Sequence, residues 1–318
     1  MLKKTFIITG GNSGLGYETA RQIAQDSKNN YVVLACRSME RGQTAAASLT
    51  EETGNSHIFV IVLDLASLDS IRVFVKTFEK ADFPQLQGLI CNAGIIMADQ
   101  THYTKEGYEA TFGTNHLGHF LLVNLLLRDI AADGRIIFVS SGTHDPKQKT
   151  GIAAPVYQNA RLLAYPENER NSKESNIKIG QRRYTTSKLC NVYCTYTLAD
   201  KLSQETTKHI TVNAFDPGEM PGTGFSRTFP APAKFFVAHI LPYFNRLRKN
   251  AHSARQSGES LAHLVLDRKY DGITHKFFRG LNEVPSSKLS YNQKNQEDLW
   301  KSSVELTKLT AAETIIDI

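Results

Sequence analysis

The chain has 318 residues, of which 41% are apolar and 21% charged, a balance that suits a globular α/β protein with a sizeable core. A net charge of +6 and a pI near 9.0 come without like-charge runs or a basic stripe interleaved with aromatics, which argues against a nucleic-acid partner. No run of about 18 apolar residues offers a spanning helix. The four cysteines, Cys36, Cys91, Cys190 and Cys194, lack a structural-zinc spacing and suit reduced thiols. No metal site is expected.

Lys3 to Ile8 reads as a buried strand, and the helix-spaced Ala20, Ile23 and Ala24 follow within Tyr17 to Gln25. Between them lies Thr9-Gly10-Gly11-Asn12-Ser13-Gly14-Leu15-Gly16, a G-x3-G-x-G turn. A glycine turn leading from strand to helix aims helix N-terminal amides at a phosphate, so Gly10, Asn12, Ser13, Gly14, Leu15 and Gly16 are candidate cofactor contacts. Tyr31 to Cys36 forms the second strand, followed by Arg37, with Arg41 one turn on. A carboxylate at that strand end would hold the ribose hydroxyl of NAD; an arginine there accommodates the extra phosphate of NADP.

A helix from about Met39 to Glu52 leads to a third strand, His57 to Leu63, which ends at Asp64-Leu65. Asp64 can accept from an adenine amino group or cap the helix starting near Leu68. The fourth strand, Leu86 to Cys91, ends in Asn92-Ala93-Gly94, small enough for a nucleotide to cross. One long helix is expected from Glu106 to about Leu127, carrying Asn115 among apolar neighbours. The fifth strand, Arg135 to Val139, ends at Ser140-Ser141.

From Thr143 to Arg183 the rhythm stops, giving an insert too long for an ordinary connection. A helix from Tyr184 to Leu202 places Tyr184 and Lys188 on one face, and the strand Ile210 to Phe215 ends at Asp216-Pro217-Gly218. Met220 to Lys249 is a second irregular region, with Phe225, Phe229, an apolar patch from Phe235 and basic residues at Arg246, Arg248 and Lys249. It suggests a substrate lid, a subunit face or an interfacial membrane helix. A helix from His252 to Leu266, a strand at His275 to Phe278 and a helix from Gln296 to Leu309 follow. The expected architecture is α/β: a Rossmann-type doubly wound parallel sheet of about seven strands, helices on both faces, in a single domain over 1–318. The insert spans about 143–183 and the lid about 219–250. Ligands bind beyond the carboxyl ends of such strands, where the singled-out residues up to Ser141 fall.

Tyrosine beside a cationic lysine and a nicotinamide can exchange a proton with a carbonyl, and the lysine charge would lower the tyrosine pKa from about 10. Ser141 is placed to hydrogen-bond the substrate oxygen. Thr9–Gly16, Asp64, Asn92-Ala93-Gly94, Asn115, Ser141, the Tyr184-Thr185-Thr186-Ser187-Lys188 run and Asp216-Pro217-Gly218 stand in the order of the short-chain dehydrogenase/reductase family, which this chain resembles over nearly its whole length. That resemblance implies Tyr184 as general acid/base. It implies that Lys188 binds the nicotinamide ribose and lowers the Tyr184 pKa, that Ser141 orients substrate, and that Asn115 supports a water-linked relay. Pro217 and Gly218 join the cofactor contacts.

Thr114 to Leu122, Ala35-Cys36-Arg37 and Ser187 to Val192 resemble both retinol dehydrogenases and light-dependent protochlorophyllide reductases. The resemblance implies a proton-delivering cysteine after the Pro-Gly turn in the second branch, where this chain has Glu219; at the serine position that branch usually has threonine. The expectation is an NADP(H)-dependent oxidoreductase acting on the carbonyl of a bulky apolar small molecule or on the matching alcohol, with Glu219, Phe225 and Phe229 on the substrate side. Light-driven C=C reduction and a non-catalytic NADP sensor are the alternatives. The N-terminus runs straight into a strand without a leader pattern, so a cytoplasmic protein is expected, with peripheral contact to an anionic membrane as an option.

Overall fold

In the computed structural model, which describes residues 2–148, 150–166, 173–218 and 253–318, the apolar runs become the strands of one sheet. β1 (Lys4–Thr9), β2 (Asn30–Cys36), β3 (Ile58–Val62), β4 (Leu86–Cys91), β5 (Ile130–Val139), β6 (Thr211–Asp216) and β7 (Lys276–Arg279) pair in parallel in the order β3-β2-β1-β4-β5-β6-β7. An antiparallel β8 (Asn282–Glu283) closes the edge on β7. The expected strands are there; a two-residue return strand is too short to leave a periodic signal.

The parallel strands are buried on both faces, and their alternation divides the core. Phe6 and Ile8 of β1 and Val32 and Leu34 of β2 pack with Ile23 of α1 (Gly14–Asp26) and Leu261 and Val265 of α8 (Ala254–Leu266). Ile7, Val33 and Leu89 face the other way, towards Phe74 of α3 (Leu68–Lys80), Phe120 and Leu121 of α5 (Gly118–Leu126) and Leu189 of α7 (Asn176–Glu205). The other α-helices among the described residues are α2 (Met39–Thr53), α4 (Ala110–Phe112), α6 (Ala160–Ala164) and α9 (Gln293–Thr307). All four cysteines are buried and free. Among the described residues no helix is long and apolar enough to cross a membrane.

The structure corrects three expected elements. The long helix expected from Glu106 begins only at Ala110, and its middle, Gly113–Leu117, is a π-turn between α4 and α5. Helix α7 starts well before Tyr184, at Asn176, capped by the Ser175 side chain on Lys178 N. The insert also contains α6, tied to α9 where Asp298 Oδ2 accepts from Tyr157 Oη at 2.6 Å and Ala160 N at 2.9 Å. Glu219, Phe225, Phe229 and the apolar and basic patch up to Lys249 lie outside the described residues.

Candidate active site

The site forms at the carboxyl ends of β1 and β4, where the strand order reverses. Gly10 and Gly14 have φ of 65° and 56°, a left-handed backbone that favours glycine. Ser13 precedes α1 in extended conformation and gives it no side-chain cap, while a Cβ on Gly14 would meet nothing within 4 Å. The start of α1 therefore presents amides to open space, as a dinucleotide phosphate requires. Asn12 is half-buried and Leu15 buried behind it. At Gly16 a Cβ would stand 2.5 Å from Gly10 O and 2.6 Å from Asn92 Nδ2, so only glycine lets α1 seat on the turn.

At the end of β2, Arg37 is exposed, and the Ser38 side chain rather than any basic residue caps α2 through Arg41 N. Both arginines are thus left facing solvent beside the glycine turn's neighbouring strand. Asp64 does not cap α3; Ser67 does, accepting from Ser70 N. Asp64 instead accepts from Ala66 N at 3.0 Å and shapes the loop through Leu65, whose carbonyl lies against Gly118. The Asn92-Ala93-Gly94 turn hangs on Thr9: its hydroxyl accepts from Asn92 N at 2.8 Å and Ala93 N at 2.9 Å, and its carbonyl from Asn92 Nδ2 at 2.7 Å.

Asn115 sits in the π-turn, a feature that often marks functional helices. Its amide accepts from Ile95 N at 2.8 Å and donates to Ile95 O at 2.9 Å and Ser187 Oγ at 3.0 Å. A Cβ on Gly94 would lie 3.4 Å from Lys188 Nζ and 3.5 Å from Asn115 Oδ1, so this glycine covers both groups closely. Lys188 is buried, donates to Val139 O at 2.9 Å, and stands 5.5 Å from the Tyr184 ring centroid. Burial lowers its pKa to about 8.

Tyr184 is half-buried on α7. Burial, then the Asp216 carboxylate, raise its pKa above the usual tyrosine range, and a hydrogen bond with Ser141 opposes them. The lowering expected from Lys188 is therefore absent in the protein alone, where desolvation wins. Ser141 opens the turn Gly142–His144, and its Oγ also accepts from Thr143 N at 3.3 Å. Asp216 accepts from Gly218 N at 3.0 Å and Arg279 Nε at 3.1 Å, and Pro217 O from Ser257 Oγ at 2.7 Å.

Sequence reasoning passed over the side chains that brace these groups. His119 bridges Thr9 and Asn115, and His144 joins Ser141 O at 2.7 Å to Ser287 N at 3.0 Å. The spacing of His119 four residues after Asn115 was the only local signal.

A family model described as short chain dehydrogenase matches residues 4–159. Polyprenol dehydrogenase of Homo sapiens is 31% identical over 316 residues, covering 95% of this chain and 84% of that protein. Human retinol dehydrogenase 13 is 34% identical, covering 97% and 86%. The chloroplastic protochlorophyllide reductase of Daucus carota is 35% identical, covering 83% and 67%. Among solved structures, an uncharacterised protein from Mycobacterium paratuberculosis superposes with a TM-score of 0.68 at 28% identity, covering 100% of this chain and 96% of that one. With the glycine turn, sheet order and Ser-Tyr-Lys arrangement in place, the chain belongs to the short-chain dehydrogenase/reductase family of oxidoreductases. Within it, the chain groups with the retinol dehydrogenase and protochlorophyllide reductase branches.

Proposed function

We propose that this protein is an NADP(H)-dependent carbonyl reductase or alcohol dehydrogenase for a bulky apolar small molecule, built as one domain. The observation that carries this is the convergence of Ser141, Tyr184 and Lys188 beside Gly94, at the sheet edge where a dinucleotide crosses. The open start of α1 and the left-handed Gly10 and Gly14 fit its phosphates, and Arg37 supports the choice of NADP over NAD. When bound, the nicotinamide group supplies or accepts hydride. The protein's own part is positional and protic. Ser141 Oγ holds the substrate oxygen against the Tyr184 hydroxyl, and Tyr184 Oη gives or takes the proton. Lys188 Nζ, charged and anchored on Val139 O, stabilises the tyrosinate left behind. Names such as polyprenol dehydrogenase and retinol dehydrogenase among the relatives support an apolar substrate, as do Phe225 and Phe229.

A second reading, light-driven reduction of a tetrapyrrole C=C bond, is favoured by the 35% identity to the carrot enzyme. Absorbance at the NADPH band, followed in darkness and then under light with all-trans-retinal, a bulky aromatic ketone or protochlorophyllide, separates the two. Dark NADPH consumption with a carbonyl compound supports the first; consumption only under light with the pigment replaces it by the second. Nucleotide binding without turnover of any of them would favour a sensor. Peripheral membrane contact through 235–249 predicts sedimentation with anionic liposomes in preference to neutral ones.

A further inference from the structure

The Thr9 hydroxyl receives two N–H donors, Asn92 N at 2.8 Å, which it shares with Ile90 O at 3.0 Å, and Ala93 N at 2.9 Å, and these occupy its lone pairs. It has one proton to give. The candidate acceptors are Ile90 O at 3.3 Å and His119 Nε2 at 2.9 Å, and the shorter contact is the imidazole. The other ring nitrogen, Nδ1, lies 3.0 Å from Asn115 O, which can only accept, so Nδ1 carries the hydrogen. A doubly protonated ring would aim its Nε2 hydrogen at an oxygen whose lone pairs are already taken. The ring is fully buried, and burial holds its pKa down to about 4, with Lys188 acting in the same direction and the Asn115 carbonyl opposing both.

The bonds therefore run one way, from the Asn92 and Ala93 amides into Thr9 Oγ1, from Thr9 into His119 Nε2, and from His119 Nδ1 into the Asn115 carbonyl. Asn115 in turn holds Ile95 and, through Ser187, the helix that carries Tyr184 and Lys188. We propose that His119, with its proton fixed on Nδ1, is a positioning residue that sets the Asn92-Ala93-Gly94 turn against the glycine turn and registers both to the π-turn of Asn115. It touches neither nucleotide nor substrate; it acts by making Thr9 a donor on one side and a double acceptor on the other. The consequence for nucleotide affinity rests on the function proposed above, whereas the tautomer does not.

Two measurements test it. Long-range 15N correlation of the wild-type imidazoles at pH 7, with His119 assigned by its disappearance in His119→Gln, is expected to show the neutral Nδ1–H form. An Nε2–H pattern or an imidazolium overturns the proposal. NADPH binding by fluorescence titration is expected to weaken about tenfold in His119→Leu and in Thr9→Val. The double variant should be no weaker than either single one, because the two changes break one chain of bonds. His119→Gln, whose amide oxygen can accept from Thr9, is expected to recover affinity to within about threefold of wild type. Unchanged binding in Thr9→Val and His119→Leu, or no recovery with glutamine, overturns it. If the leucine variant does not fold, Thr9→Val against His119→Gln decides. A wild-type protein that binds no NADPH refutes the nucleotide reading alone, and the tautomer still decides the network.

Discussion

Tyr184 is held in its protonated form by the protein around it, since burial and Asp216 outweigh the hydrogen bond with Ser141. Burial brings Lys188 down to about 8. Tyr184→Phe removes the transferable proton and leaves the ring, so turnover is expected to fall by about 10²–10⁴ while NADPH binding persists, read by steady-state kinetics and fluorescence titration. Arg37→Asp places a carboxylate where the ribose 2′-phosphate of NADP would sit. The ratio of kcat/KM for NADPH over NADH is then expected to drop by at least about tenfold. Arg37 was legible from its type and its position at a strand end, and Tyr184 and Lys188 from their place in a family motif. Their bracing was not: His119 meets Thr9 across 110 positions, His144 meets Ser287 across 143, and Asp216 meets Arg279 across 63. Contacts of that span follow from the stacking order of strands, which no local spacing encodes.

The seating of α1 depends on two glycines that do different things. Gly16→Ala forces a methyl against the Gly10 carbonyl and the Asn92 amide, groups that belong to the turn itself. A loss of about 1–3 kcal/mol in chemical denaturation is expected, together with weakened NADPH binding. Gly14→Ala meets open space and suffers only from its φ of 56°, so it should cost about 1 kcal/mol, with no displacement of Asn92. The boundaries of α2 were legible because apolar periodicity and turn residues mark them, whereas α1 begins at Gly14, three residues before Tyr17, inside the glycine turn itself. The early start of α7 was hidden by Lys178, Gln181, Arg182 and Arg183, charged and polar residues paired in part to Glu174 and Glu109 rather than arranged on one polar face. The π-turn at Gly113–Leu117 was invisible for another reason: an apolar helix of either hydrogen-bond period looks alike in sequence.

Across the whole molecule, buried histidines tie stability to pH. Burial depresses His116 to about 3 and His119 to about 4, and lowers His144 as well. The unfolded chain binds protons on these rings below about 6.5 while the folded protein does not, so stability rises with pH through that range and is lost as pH falls from about 6.5 towards 4. The loss is expected at roughly 1.4 kcal/mol per unit for each fully buried ring, seen as a falling denaturation midpoint. His116→Asn should flatten the profile, because the ring's bond to Ser303 is then made by a group that does not titrate.

The chain's own order of residues determined the doubly wound sheet, the glycine turn and the arginine after β2, because each rests on local spacing and on the rule that ligands meet parallel strands at their carboxyl ends, and it carried the Ser-Tyr-Lys set through its resemblance to a family motif. Tertiary structure alone decided the direction of the Tyr184 and Lys188 shifts, the replacement of Asp64 by Ser67 as helix cap, and the proton on His119. These depend on how deeply a group is enclosed and on which carbonyl or hydroxyl arrives from another strand. Burial and partner geometry are set only once the layers have packed.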